Sequence, residues 1–183
     1  MIRGHKIKSV SIDLLALVTL VTTIAWFCEG MLFQSKIPFF RDLVTYSYPI
    51  NFSLFKSFHA GELPLWDRHM AAGFPLLAAL QPAVFYPLSL VFLWLPFFDA
   101  VQWSFFIHFL IAASGGYALC RYWKYPIYLC VIGALLFALG GTTVSLSNLL
   151  NHFQSAVWLP WMILCGERFF HSPSWANFVL LVF

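Results

Sequence analysis

Long, predominantly apolar runs cover Val10–Cys28, Val101–Leu119, Ile127–Leu146 and roughly Leu149–Cys165, and another opens near Trp175. At the helical rise of about 1.5 Å per residue the first of these would be about 28 Å long, close to the ~30 Å hydrocarbon core of a bilayer. The pattern predicts membrane-spanning helices at 10–28 and within 99–168, followed by a connector and the start of a fifth helix over 169–183. The shorter run Phe85–Pro96 holds Pro87 and Pro96 and reaches only about 18 Å as a helix. It is predicted to lie in the membrane interface.

Charge placement sets the expected threading. Arg3, Lys6 and Lys8 precede the first run, so residues 1–9 are expected in the cytoplasm. If Phe85–Pro96 crossed the bilayer, Arg121 and Lys124 would fall on the outside, against the positive-inside tendency. Keeping that run in the interface returns them to the cytoplasm and leaves residues 29–98 as one long extracytoplasmic loop. Within it Pro49 can open a helix and Gly61 close one. Phe52, Phe55 and Phe58 recur at helical spacing and predict an amphipathic helix on the membrane surface. Asp13, one turn inside the first run, reads as a hydrated interfacial residue, and Pro160 as a kink in the fourth span.

Composition strengthens this picture. Of 183 residues, 61% are hydrophobic and only 9% charged, against about 25% charged in soluble proteins, and the mean hydropathy is +0.82. A water-soluble globule is excluded, and the predicted fold class is an all-α, polytopic helical membrane protein. The formal charge of +3 is scattered at the ends of apolar runs rather than gathered on a polar face, so no nucleic acid partner is expected. Cys28, Cys120, Cys130 and Cys165 show no CxxC or His/Cys metal spacing and read as packing or lipid-facing thiols. Trp26 and Phe27 ahead of Cys28 do not suit signal-peptide cleavage, so the first span is expected to stay attached. The last run holds nine residues, Trp175 to Phe183, where a span needs about twenty, which suggests a piece of a longer protein.

Small residues at Ala112–Gly116 and at Ala134, Ala138, Gly140 and Gly141 would let helix backbones approach closely. A polar cluster of Asn148, Asn151, His152, Gln154 and Ser155 falls on the same side as the long loop in this threading. On a continuous helix Asn148, Asn151 or His152, and Ser155 would share a face, where phosphate or sugar could bind.

The series Phe39-Phe40-Arg41-Asp42-Leu43-Val44-Thr45-Tyr46-Ser47-Tyr48-Pro49, Gly61-Glu62-Leu63-Pro64-Leu65-Trp66, Gly73-Phe74-Pro75 and Gln81-Pro82-Ala83-Val84-Phe85-Tyr86-Pro87, with Asn151-His152 and Trp158-Leu159-Pro160-Trp161 later, resembles the YfhO-like family of bacterial multi-pass membrane proteins. That family is placed in the GT-C superfamily of membrane glycosyltransferases, and the resemblance runs from about Phe39 to Arg168. It implies a GT-C-like bundle with juxtamembrane helices in its first extracytoplasmic loop. It also implies transfer of a sugar from a polyprenyl-phosphate donor to an envelope glycopolymer or glycolipid acceptor, at a membrane of which lipid is itself a partner.

The resemblance places a catalytic acidic residue in the first outer loop, and Asp42 matches that position. A carboxylate there could take the acceptor hydroxyl's proton as the sugar–phosphate bond breaks. Read without the resemblance, Asp42 is a surface carboxylate paired with Arg41. Arg41 could fork onto the donor phosphate or lie among lipid headgroups. Asp67, where the family more often has Asn, is open between a second site carboxylate and a solvated loop residue. Trp66, Asn151 and His152 complete the expected substrate contacts. Many GT-C enzymes hold a divalent metal with paired acidic residues, whereas Asp42 is flanked by Arg41 and Leu43; no cofactor is expected, and a divalent metal stays open but without support in the sequence. Two other classes remain open from sequence: a component of a lipid-linked substrate transporter, which would need polar residues through the span centres, and a non-catalytic membrane scaffold.

Overall fold

A computed structural model describes the backbone of residues 2–68, 70 and 72–182, and the side chains from Ser11 onward except 178 and 180–182. The side chains of Arg3, Lys6 and Lys8 lie outside the described residues. Every described element is helical, as the apolar runs predict, and an isolated antiparallel bridge joins Asp67 to Phe74.

The helices are α1 (Ile2–Phe27), α2 (Glu29–Phe33), α3 (Tyr48–His59), α4 (Val91–Trp94), α5 (Phe97–Tyr122), α6 (Ile127–Leu139), α7 (Gly141–Leu146), α8 (Leu150–Ala156), α9 (Leu159–His171) and α10 (Trp175–Val182). A π-helical turn, Leu43–Ser47, leads into α3, and a 3₁₀ turn, Pro87–Leu90, into α4. Among the described residues two stretches are long and apolar enough to cross a membrane, Phe97–Tyr122 and Ile127–Leu146, while Ser11–Phe27 within α1 is apolar but shorter.

Several boundaries depart from expectation. The stretch Ile127–Leu146 is interrupted at Gly140, whose extended backbone (ψ 153°) separates α6 from α7. A Cβ at Gly140 would sit 2.2 Å from the Leu136 carbonyl oxygen, so the break needs glycine. The run Leu149–Cys165 is not one helix but α8 and α9, parted by a turn at Val157–Trp158. Pro160 lies in the first turn of α9 instead of kinking a longer helix; a residue that lacks an N–H costs nothing there. Phe85–Pro96 forms only the 3₁₀ turn and the one-turn α4.

The chain divides into two compact units, Met1–Phe27 with His108–Val144 and Gln154–Phe183, and Cys28–Ile107 with Ser145–Phe153. In the first, Ala16 and Leu20 of α1, Tyr117 of α5, and Cys130 and Ala134 of α6 form a buried cluster. The helices α1 and α5 are antiparallel: Asp13 meets Tyr117 and Arg121, while Phe27 meets Phe109 with ring centroids 5.4 Å apart. The Trp161 indole N–H donates to the Ile111 carbonyl at 3.1 Å, tying α9 to α5.

Asp13 is thus not simply hydrated. It accepts from the Tyr117 hydroxyl at 2.5 Å, from Arg121 Nε at 2.9 Å and from Arg121 Nη2 at 3.3 Å. About 30% of its side chain remains accessible, which sets the value of the pair between that of an exposed bridge (~0–1 kcal/mol) and a buried one broken from one side (~3–5 kcal/mol). Asp13→Arg is therefore expected to destabilise this unit by about 1–2 kcal/mol, and adding Arg121→Asp to recover most of it. Thermal unfolding in detergent measures both; a neutral single reversal would show that the bridge contributes nothing.

In the second unit, α3 begins with Pro49 in its first turn and ends at Gly61 (φ +69°), as the sequence predicts. Its buried face, however, is Tyr48, Ile50, Asn51 and Leu54. Phe52 and Phe55 stack on each other and edge-on against Phe97, at 5.1 and 5.9 Å between centroids, so the phenylalanine stripe is engaged with α5.

Candidate functional site

Asp42 stands where three local irregularities meet. The chain reaches it through an irregular segment whose Phe39 and Phe40 are exposed. Arg41 has φ +23°, a strained value for a residue with a Cβ, and Asp42 then leads into the π-helical turn Leu43–Ser47. Leu43 is buried and anchors the turn, and the Thr45 hydroxyl donates to the Arg41 carbonyl at 3.2 Å. Both the Arg41 and the Asp42 side chains are exposed. No ion pair joins them among the described residues.

The buried Tyr48 closes this segment, its hydroxyl donating to the Pro38 carbonyl at 2.5 Å. Burial pushes its phenol from about 10 up to about 12. Below pH 10 the phenol is protonated in folded and unfolded chains alike. Between 10 and 12 only the unfolded chain loses the proton, so the contribution of Tyr48 to stability drains away as pH rises through that window. Tyr48→Phe is expected to cost about 1 kcal/mol at neutral pH and to make the loss of stability between pH 10 and 12 shallower, as denaturant titrations at a series of pH values would reveal.

A second constellation lies along α3 and the chain that follows it. Asp67 and Phe74 exchange backbone hydrogen bonds, both 2.8 Å, folding 67–74 back on itself. Gly73 (φ +121°) lets Trp66 lie against that turn: a Cβ there would come within 2.7 Å of Trp66 Cζ2. The Asp67 side chain is 6% exposed and accepts the Ser53 hydroxyl of α3 at Oδ2, 2.5 Å away. Of the two readings open for Asp67, this burial removes the solvated loop residue. Beside it opens a cavity of about 440 Å³ lined by Ser53, Lys56, Glu62, Trp66, Asp67 and Arg68, among others. Lys56 Nζ is held 4.8 Å from the centre of the Phe52 ring.

Trp66 and Asp67 are thus brought together, whereas Arg41, Asp42, Asn151 and His152 do not line this cavity. Asn151 instead donates through Nδ2 to Gln81 Oε1, and His152 is exposed. Asn148 precedes α8 rather than lying within it, so the shared face expected of Asn148, Asn151 and Ser155 does not form along one helix. Ser53, Lys56 and Glu62 escaped the sequence reading. Ser53, Lys56 and Ser57 do share an i, i+3, i+4 face of α3, a signal masked by the phenylalanine stripe. Among the described residues no three His, Cys, Asp or Glu side chains gather as a metal would need, and Asp42 has no neighbouring carboxylate in sequence to share one.

No family model, curated protein or solved structure matches this chain.

Proposed function

We propose that the chain is part of a membrane glycosyltransferase that passes a sugar from a polyprenyl-phosphate donor to a cell-envelope acceptor on the extracytoplasmic face, with Asp42 as general base. The observation that carries this reading is local. An exposed carboxylate that forms no ion pair with its neighbouring arginine follows a strained residue and opens a π-helical turn. Backbone strain and π-turns concentrate at functional positions because surrounding structure must hold them against their cost.

In the proposed step an Asp42 carboxylate oxygen accepts the proton of an acceptor hydroxyl, whose oxygen forms a bond to the anomeric carbon. The bond from that carbon to the phosphate oxygen breaks, and polyprenyl phosphate leaves with the electron pair. Arg41 forks onto the phosphate oxygens, where the growing charge would sit. Exposed Phe39 and Phe40 offer apolar surface to the polyprenyl chain. Multi-pass embedding draws support from the two apolar stretches of spanning length, Phe97–Tyr122 and Ile127–Leu146. It also draws support from the Asp13–Arg121 bridge, which sets the N-terminal half of α1 beside the end of α5, as a cytoplasmic Arg121–Lys124 loop requires. The test is transfer of a radiolabelled sugar from a polyprenyl phosphate to envelope glycopolymers by the full-length protein in vesicles. Label transfer no greater than that of empty vesicles would remove the reading.

A further inference from the structure

We propose that the cavity beside α3 binds a neutral pyranose; only its assignment to the acceptor sugar rests on the transferase reading. Three features point to a sugar. Trp66 remains 57% exposed although it lies against Gly73, so it is a large aromatic surface kept open at the cavity wall. Such a surface suits the apolar C–H face of a sugar ring. Asp67 is a buried carboxylate held in place by Ser53 and by its backbone bridge to Phe74. A carboxylate can accept several hydrogen bonds at once, which suits it to sugar hydroxyls.

The lining charges also balance, with Lys56 and Arg68 set against Glu62 and Asp67. With two cations offset by two carboxylates the lining has no net charge to select a phosphate, whereas a polyhydroxyl ring needs donors and acceptors together. A volume of about 440 Å³ falls within the range of about 300–1,000 Å³ for small-molecule sites.

The experiment uses the full chain in lipid nanodiscs, labelled with 5-fluorotryptophan, with the Trp66 fluorine resonance assigned by Trp66→Phe. Glucose, N-acetylglucosamine and inorganic phosphate are the probes. At millimolar concentration at least one of the two sugars should shift the Trp66 signal saturably. Asp67→Asn should weaken that binding about tenfold or more. Lys56→Gln, at an exposed position that does not threaten the fold, should weaken it several-fold. The proposal fails if neither sugar shifts the signal, if phosphate alone does, or if the sugar response survives Lys56→Gln unchanged. Sugar binding here, with no transfer by the full-length protein in vesicles, would uphold the cavity and retire the transferase. Transfer without a sugar response at Trp66 would do the reverse.

Discussion

Replacing Asp42 by Asn should lower sugar transfer by about 10²–10⁴-fold, the usual contribution of a positioned general base, and leave insertion and thermal stability unchanged. The two parts of this expectation have separate causes. Asn preserves the size of the side chain but cannot accept the acceptor's proton, so the loss should fall on kcat rather than on KM. The carboxylate is exposed and pairs with no cation among the described residues, so the fold does not depend on its charge. Arg41→Gln should act differently, raising KM for the polyprenyl-phosphate donor by weakening phosphate contact. Initial rates over a range of donor concentrations, in vesicles carrying equal amounts of each variant, separate the two effects. Activity of Asp42→Asn within threefold of the unaltered protein would sink the assignment of Asp42 as base.

Long-range and short-range features were unequally legible. The helical class and the helix from Phe97 to Tyr122 follow from the length of the apolar runs, and α3 from a proline and a glycine at its ends. The breaks at Gly140 and at Val157–Trp158 left little trace, because an apolar run looks alike whether or not its backbone is continuous. Asp13 read as hydrated because its partner Arg121 lies 108 positions further along the chain, and a single sequence contains no signal for such a pairing.

The site divides in the same way. Arg41 and Asp42 stood out through a resemblance, but the strain and the π-helical turn around them are backbone properties that no residue type announces. The sequence leaves Asp67 open between a site carboxylate and a solvated loop acid; its burial comes from a two-way bridge to Phe74 and from a hydroxyl fourteen residues upstream. The phenylalanine stripe of α3 drew the eye toward a membrane surface, while large rings packed on Phe97 stay partly exposed and the smaller Ile50, Asn51 and Leu54 fill the interior.

Gly116→Val should damage the first unit, lowering its stability by about 1–3 kcal/mol, or several degrees in Tm. A Cβ at Gly116 would lie 3.0 Å from the Cα of Ala134 and 3.6 Å from its Cβ, so the first atom of any side chain meets the backbone of α6. A flexible side chain could turn aside, but a helix backbone must move as a body. Tyr117, Cys130 and Ala134 are packed with Ala16 and Leu20 of α1 in the same cluster, so displacing α6 also loosens its contact with α1. Gly133 offers a graded comparison: its Cβ would stand 3.3 Å from Cys120 Sγ, and Gly133→Ala should cost less because a thiol can rotate. Gly141, with nothing within 4 Å of its would-be Cβ, supplies the control. If Gly116→Val and Gly141→Ala unfold in detergent at the same temperature, α5 and α6 do not pack through Gly116. The predicted order, Gly116 worst, Gly133 intermediate and Gly141 neutral, follows from what each new atom would touch and not from helix propensity, which penalises glycine and would favour all three replacements.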